Sequence, residues 1–184
     1  ASLVSAGTEK MTRELARKSL LGKARARPDQ FRQVMQKIRT EGVRHTYQRV
    51  KARLDVPMTM GYSSAGVVLA CGRDVQEFKP GDRVASNGPH AEVVAVPRTL
   101  CARVPDNVPF DQAAVAVMGA ISLQGVRLTK AHLGETVLVI GLGLVGQFAV
   151  AILRAAGCRV LAADPDKSRC SLARTMGAEV AETH

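Results

Sequence analysis

The sequence predicts a mixed α/β protein in which a small antiparallel β domain, interrupted by a basic helical insertion, precedes a unit built on a parallel sheet. Three observations carry this. Short β-branched runs from Gly61 to Pro97 alternate apolar with polar residues, the spacing of half-buried strands. Beyond Glu135 such runs alternate with helical patterns, which requires parallel strands joined by crossover helices. Between Lys10 and Arg53, fourteen Lys or Arg stand against Glu14, Asp29 and Glu41, with apolar residues at helical spacing.

The opening ASLVSAGTEK begins apolar and turns polar, the pattern of a strand end. Met11 and Leu15 then share a helical face, which Gly22 and Pro28 interrupt. Phe31, Val34, Met35 and Ile38 follow at i, i+3, i+4 and i+7, with Gly42 as a stop. Val43, Tyr47, Val50 and Leu54 form a third face ending before Pro57, so the insertion spans 10–54 as two or three helices. AGVVLACG, DRVAS and HAEVVAVP are the expected strands of the antiparallel domain. PFDQAAVAVMGAISLQGVRL reads as one helix with Asp111 near its start. The tail alternates strand ETVLVIG, helix LVGQFAVAILRAAG, strand CRVLAAD and helix DKSRCSLARTMG, with GAEV opening a third strand. The domain division falls at 1–107 and 108–184.

Composition narrows the functional classes. Of 184 residues, 46% are apolar, and charges interrupt every apolar run, which excludes a membrane-spanning helix. The N-terminus lacks the charged start and apolar core of a signal peptide. Cys71, Cys101, Cys158 and Cys170 contain no Cys-x-x-Cys and read as reduced, mostly buried thiols of a cytoplasmic protein. The net charge of +10 belongs almost wholly to the insertion, read first as a solvated basic face. An acidic partner or substrate is the second reading. Nucleic-acid binding is the third, weakened by a complement of only two Tyr and four Phe, because single strands are bound largely by stacking.

The most specific motif is VLVIGLGLVGQFAV. Gly141, Gly143 and Gly146 form G-x-G-x-x-G between a strand and a helix, with Leu144 and Val145 in the last two x positions. The first glycine makes the tight turn and the second admits a pyrophosphate to the backbone. The third brings the helix against the sheet, its N–H groups facing the anion. Asp164 ends the next strand eighteen residues after Gly146, where a carboxylate can hold ribose hydroxyls and disfavour a 2′-phosphate. That pattern predicts NAD, although Lys167 and Arg169 close by could accommodate the phosphate of NADP.

The order AGVVLACGRDVQEFKPGDRV, HAEVVAVP and LGETVLVIGLGLVG resembles the medium-chain dehydrogenase/reductase family of the alcohol dehydrogenase type. The resemblance implies a GroES-like catalytic domain followed by a Rossmann domain, a small-molecule substrate, and a homo-oligomer. With the basic insertion, GYSSAGVV and SNGPHAEVV, the chain further resembles the alcohol dehydrogenase-like half of bacterial bi-domain oxidoreductases, which would imply a sugar-derived substrate. Only the first mononucleotide half and part of the catalytic domain are legible, so the Rossmann unit is expected to be truncated and the chain a fragment.

The family's zinc ligands are not matched. Ala6-Gly7-Thr8-Glu9 stands for Cys-Gly-Ser/Thr-Asp, Gly61-Tyr62-Ser63 for Gly-His-Glu, and Ala120 for the third ligand; the four-Cys structural lobe is missing after Val84. None of these replacements is a good zinc ligand, and a zinc-less member is expected. The proton that must move at the substrate oxygen then falls to a hydroxyl or imidazole: Tyr62 at the His position, Thr8 at the family's relay hydroxyl, and His90 in the shortened loop. The expected function is an NAD(P)-dependent, zinc-independent oxidoreductase. The alternatives are a non-catalytic nucleotide-binding scaffold and a basic nucleic-acid-binding module.

Overall fold

The computed structural model describes residues 1–17, 32, 35–36, 38–40, 42 and 59–182. These divide into two compact units, Ala1–Ser5 with Gly61–His184, and Ala6–Met60. Most of the insertion expected over 10–54, with Phe31, Val34, Val43, Tyr47, Val50 and Leu54, lies outside the described residues.

In the Ala6–Met60 unit, helix α1 spans Ala6–Arg17, so residues expected to close a strand instead open a helix. Glu9 in its first turn and Arg17 in its last complement the helix dipole. Met35, Gln36 and residues 38–40 are helical as their spacing predicts. Gly42 has φ +84° and its N–H reaches the Ile38 carbonyl at 3.1 Å, the backbone of a helix stop.

The other unit opens on a three-stranded antiparallel sheet, β1 (Ser64–Val67), β2 (Arg83–Ser86) and β3 (Cys101–Arg103), in that order. Ser64 faces Ser86, and Ser86 faces Cys101. The chain start runs beside β1: Leu3 N–H bonds Ser63 O at 2.9 Å and Ala65 N–H bonds Ala1 O at 2.8 Å. The strand end expected at the N-terminus is thus a short pairing around Ser2, not a longer ladder.

The Gly-Asp-Arg-Val element works as a corner brace. Gly81 has φ +94°, and Asp82 pairs with Arg103 at 3.2 Å. Arg83 donates to the carbonyls of Asp106 at 2.7 Å and Val108 at 2.5 Å and stacks 4.6 Å from the Phe110 ring. These contacts tie the sheet to the segment entering the next helix.

Two expectations need correction here. His90–Pro97 is not a strand: Val94 and Val96 turn partly inward around exposed Ala95, but no described strand runs beside them to complete a ladder. A strand needs partners for its backbone groups as well as the right side-chain alternation. The single helix expected over 109–128 is two, α2 (Phe110–Ala113) and α3 (Ala116–Thr129), broken at Ala114 and Val115. The break seats Ala113 and Ala114 in the antiparallel sheet's core with Ala65, Ala85 and Val104.

Beyond α3 the expected alternation holds. Strand β4 (Thr136–Ile140), helix α4 (Leu144–Ala155), strand β5 (Arg159–Ala163), helix α5 (Lys167–Thr175) and strand β6 (Val180–Glu182) follow in turn. The strands are parallel in the order β4-β5-β6, with Val137 opposite Val160 and Ala162 opposite Ala181. Leu142, Val150, Leu153, Cys158, Val160, Ala162, Cys170 and Ala173 form the core between sheet and helices. Its fully buried Leu and Val side chains contribute about 1.5–3 kcal/mol each, which makes this the anchor of the unit. Fold class is therefore mixed α/β, an antiparallel sheet followed by a parallel one.

Candidate functional site

The glycine loop joins β4 to α4. Gly141 has φ +90°, a left-handed backbone that side chains disfavour, and its N–H bonds the Ala163 carbonyl at 2.8 Å. Gly143 is the N-cap of α4 in extended conformation and, being glycine, offers the first-turn N–H groups no side-chain cap. Helix N-termini of this kind leave donors pointing outward, a natural anion site. A Cβ on Gly143 would meet nothing within 4 Å, so the space in front of the loop is open, and only a glycine leaves it so. At Gly146 a Cβ would lie 1.9 Å from the Gly141 carbonyl oxygen. The helix is pressed against the loop as closely as a hydrogen allows. Leu144 and Val145, 41% and 43% exposed, form the outer rim of the first turn. These features fit a dinucleotide pyrophosphate.

Asp164 lies at the end of β5 with only 6% of its surface exposed. Its Oδ2 accepts the Leu142 N–H at 2.7 Å and its Oδ1 accepts the Asp166 N–H at 2.9 Å. These two backbone donors hold its carboxyl below the usual range; burial opposes them, and Arg169, 3.6 Å away, adds to the lowering. Asp164 therefore pins the glycine loop to the next turn. Its Oδ1, which accepts the Asp166 N–H, keeps a further lone pair, whereas Oδ2 already faces both the Leu142 N–H and Arg169.

Asp166 caps α5, its Oδ1 accepting the Ser168 N–H at 2.8 Å. Arg169 also stands 3.7 Å from Asp166, so its guanidinium is shared between two carboxylates. Lys167 is exposed at the first position of α5.

His90 packs against Gly61, the residue before Tyr62. The His90 ring packs where a Gly61 Cβ would be, 2.6 Å from that position, and Gly61 has φ +86°, so both space and backbone require glycine. His90 Nδ1 shares a hydrogen bond with Ser2 Oγ at 3.0 Å. The half-buried Tyr62 hydroxyl donates to Met118 Sδ at 3.7 Å. Ser63 donates to Ala114 O, locking the same turn onto the break between α2 and α3. Thr8 is in the first turn of α1, in the other unit, and its carbonyl accepts from Thr12.

Helix α3 links this turn to the glycine loop. One turn after Met118, Ser122 reaches the Val145 carbonyl at 2.9 Å. Neither Met118 nor Ser122 is singled out by the sequence reading, because an apolar helix carries no mark of what its ends touch. Gln147 is missed too: its amide donates to Leu142 O at 3.2 Å and Arg169 O at 2.9 Å. It is the one polar side chain in LVGQFAVAIL, and a lone amide on a buried helix must find partners. That signal was available.

The residues that the resemblance sets at the family's zinc-ligand positions, Ala6, Tyr62 with Ser63, and Ala120, offer no thiolate, imidazole or carboxylate, the groups zinc takes. Among the described residues, no three His, Cys, Asp or Glu side chains gather at metal-ligand range.

Comparison with known proteins agrees with this geometry. Residues 32–106 match the Alcohol dehydrogenase GroES-like domain. L-threonine 3-dehydrogenase of an Anaeromyxobacter species is 33% identical over 162 residues, covering 68% of this chain and 45% of that protein. D-guloside 3-dehydrogenase of Escherichia coli is 32% identical over 124 residues, covering 65% and 35%. The solved structure of a mycobacterial protein complexed with NADPH matches with TM-score 0.65 at 31% identity, covering 71% of this chain and 43% of that one. The chain thus spans a third to a half of the length of these relatives. With its Gly-Asp-Arg-Val brace, its glycine loop and these likenesses, the chain belongs to the medium-chain dehydrogenase/reductase family of the alcohol dehydrogenase type.

Proposed function

We propose that the protein of which this chain is part is an NAD(P)-dependent oxidoreductase that acts on an alcohol, carbonyl or enone without zinc. The observation that carries the reading is the glycine loop itself: open space before Gly143, where backbone can approach a pyrophosphate, and a helix packed so closely at Gly146 that no Cβ fits. In this reading, residues 1–107 form the catalytic domain, with its insertion at 10–54, and residues 108–184 hold the dinucleotide. The N–H groups of the first turn of α4 face the pyrophosphate, and Asp164 accepts the adenosine ribose hydroxyls. The dinucleotide supplies or accepts the hydride.

NAD is preferred over NADP. Arg169 is already compensated by Asp164 and Asp166, leaving Lys167 as the uncompensated cation beside a 2′-phosphate. The relative complexed with NADPH keeps NADP as the second cofactor to test. Tyr62 is the preferred proton donor, because it stands where the family's His ligand is expected and its phenol O–H can donate to a substrate oxygen. His90 and Thr8 are the other candidates. The guloside relative supports a sugar-derived substrate. Four unbridged thiols fit a reducing cytoplasm. No described helix is long and apolar enough to cross a membrane.

The test uses the full-length protein. Titration with NADH and NADPH, followed by nicotinamide fluorescence, is expected to show binding of both with NADH the tighter. Turnover is expected to persist in EDTA and to fall about 100-fold in Tyr62→Phe, the scale of a lost general acid. Zinc whose removal abolishes turnover would refute zinc independence. Dinucleotide binding with no turnover on any alcohol, carbonyl or enone would favour a scaffold.

A further inference from the structure

Leu142, the residue between the first two loop glycines, is 1% exposed and is gripped at both backbone groups. Its N–H is held by Asp164 Oδ2 at 2.7 Å and its carbonyl by Gln147 Nε2 at 3.2 Å. The same Gln147 nitrogen donates to Arg169 O at 2.9 Å, in the first turn of α5. We propose that Gln147 is a positioning residue that locks the pyrophosphate loop to the Asp164–Arg169 corner, so that the pyrophosphate and adenosine-ribose parts of the dinucleotide site hold one relative geometry. The proposal rests on the dinucleotide reading above and assigns Gln147 no contact with the cofactor.

The cost of the arrangement argues for it. Gln147 is 7% exposed, and its Oε1 is buried with no hydrogen-bond partner. An amide has two N–H donors, and here they serve two carbonyls on different elements, which leaves the acceptor orphaned. An unmet buried acceptor is destabilising, so an apolar side chain of the same length would serve helix packing better. What an apolar side chain could not do is fix the spacing between the loop and α5. Asp164 makes the same connection from the other side, through Leu142 N–H, the Asp166 N–H and the Arg169 guanidinium. Gln147 and Asp164 are two halves of one clamp.

The test is NADH affinity of the full-length protein carrying Gln147→Met, which keeps length and removes both donors. The expected result is about tenfold weaker binding, the scale of one or two lost hydrogen bonds. The loss is expected to be much smaller when Asp164→Ala is already present, since one clamp cannot be broken twice. Gln147→Glu supplies the second arm. Ionised, it presents a carboxylate to two carbonyls; protonated, it regains one donor. Its affinity is therefore expected to fall as pH rises from about 5.5 to about 8, relative to wild type, because burial raises the carboxyl pKa. A purely structural glutamine would lower the melting temperature without that pH profile. Unchanged NADH affinity in Gln147→Met, or a flat relative pH profile in Gln147→Glu, overturns the proposal. Failure of wild type itself to bind NADH or NADPH overturns the dinucleotide reading, and this proposal with it.

Discussion

Gly146→Ala is expected to lower stability by about 3 kcal/mol and to abolish dinucleotide binding within the measurable range. The added carbon would sit 1.9 Å from the Gly141 oxygen and 3.0 Å from its carbonyl carbon. Both are backbone atoms, so no side chain can swing aside. Helix α4 must instead back away from β4, and the packed Val150 and Leu153 behind it resist. Gly143→Ala separates the two effects. Its φ of −69° suits any residue, and a methyl there meets nothing within 4 Å. That variant is expected to melt close to wild type while losing NADH affinity about 100-fold, because the methyl occupies the cradle. Thermal melts paired with fluorescence titration check both. Tight NADH binding by Gly146→Ala would show that the loop does not carry the phosphate.

Asp164→Ala is expected to have the next largest effect, on both cofactor choice and acid stability. Its carboxyl is held low by the Leu142 and Asp166 N–H groups and, less strongly, by Arg169. A carboxylate whose folded pKa is depressed stabilises the fold above its unfolded pKa of about 4, and that stabilisation is lost as pH falls through the folded value. Wild type therefore loses stability on acidification that the alanine variant no longer has to lose. At pH 7 the variant melts lower, and the gap between the two curves narrows as pH falls through the depressed folded pKa of Asp164. The same change leaves the ribose without its acceptor and frees Arg169 from one of its two carboxylates. NADH affinity is expected to fall while the NADPH to NADH affinity ratio rises. Melts across the acid range and paired titrations check it; parallel pH curves would show that Asp164 does not grip the loop.

The glycine loop was legible in the sequence because each of its requirements is local. Positive φ at Gly141 and close approach at Gly146 need particular residues at particular places, and Asp164 follows at a fixed strand length. The parallel strands were legible for the same reason, β-branched runs between helical patterns. What could not be read was set by partners far away in the chain. The alternation of Val94, Ala95 and Val96 promised a strand, yet a ladder depends on a neighbour that alternation does not reveal. The break at Ala114 and Val115 sits in an apolar run, and what meets it there is the Ser63 hydroxyl, fifty-one positions earlier. The packing of His90 against Gly61, twenty-nine positions away in the chain, is likewise a product of the fold.

Strand β4 has one more implication, for handling the chain by itself. Val137 and Val139 face the core, but Leu138 and Ile140 face outward at 58% and 79% exposure, and β5 is the strand's only ladder partner among the described residues. A bare edge beside a greasy face is a template for strand addition from another molecule. Produced alone at high concentration, the chain is expected to precipitate or form soluble aggregates through this strand. Ile140→Lys should raise the soluble yield, because a lysine on the edge strand penalises that pairing without touching the core.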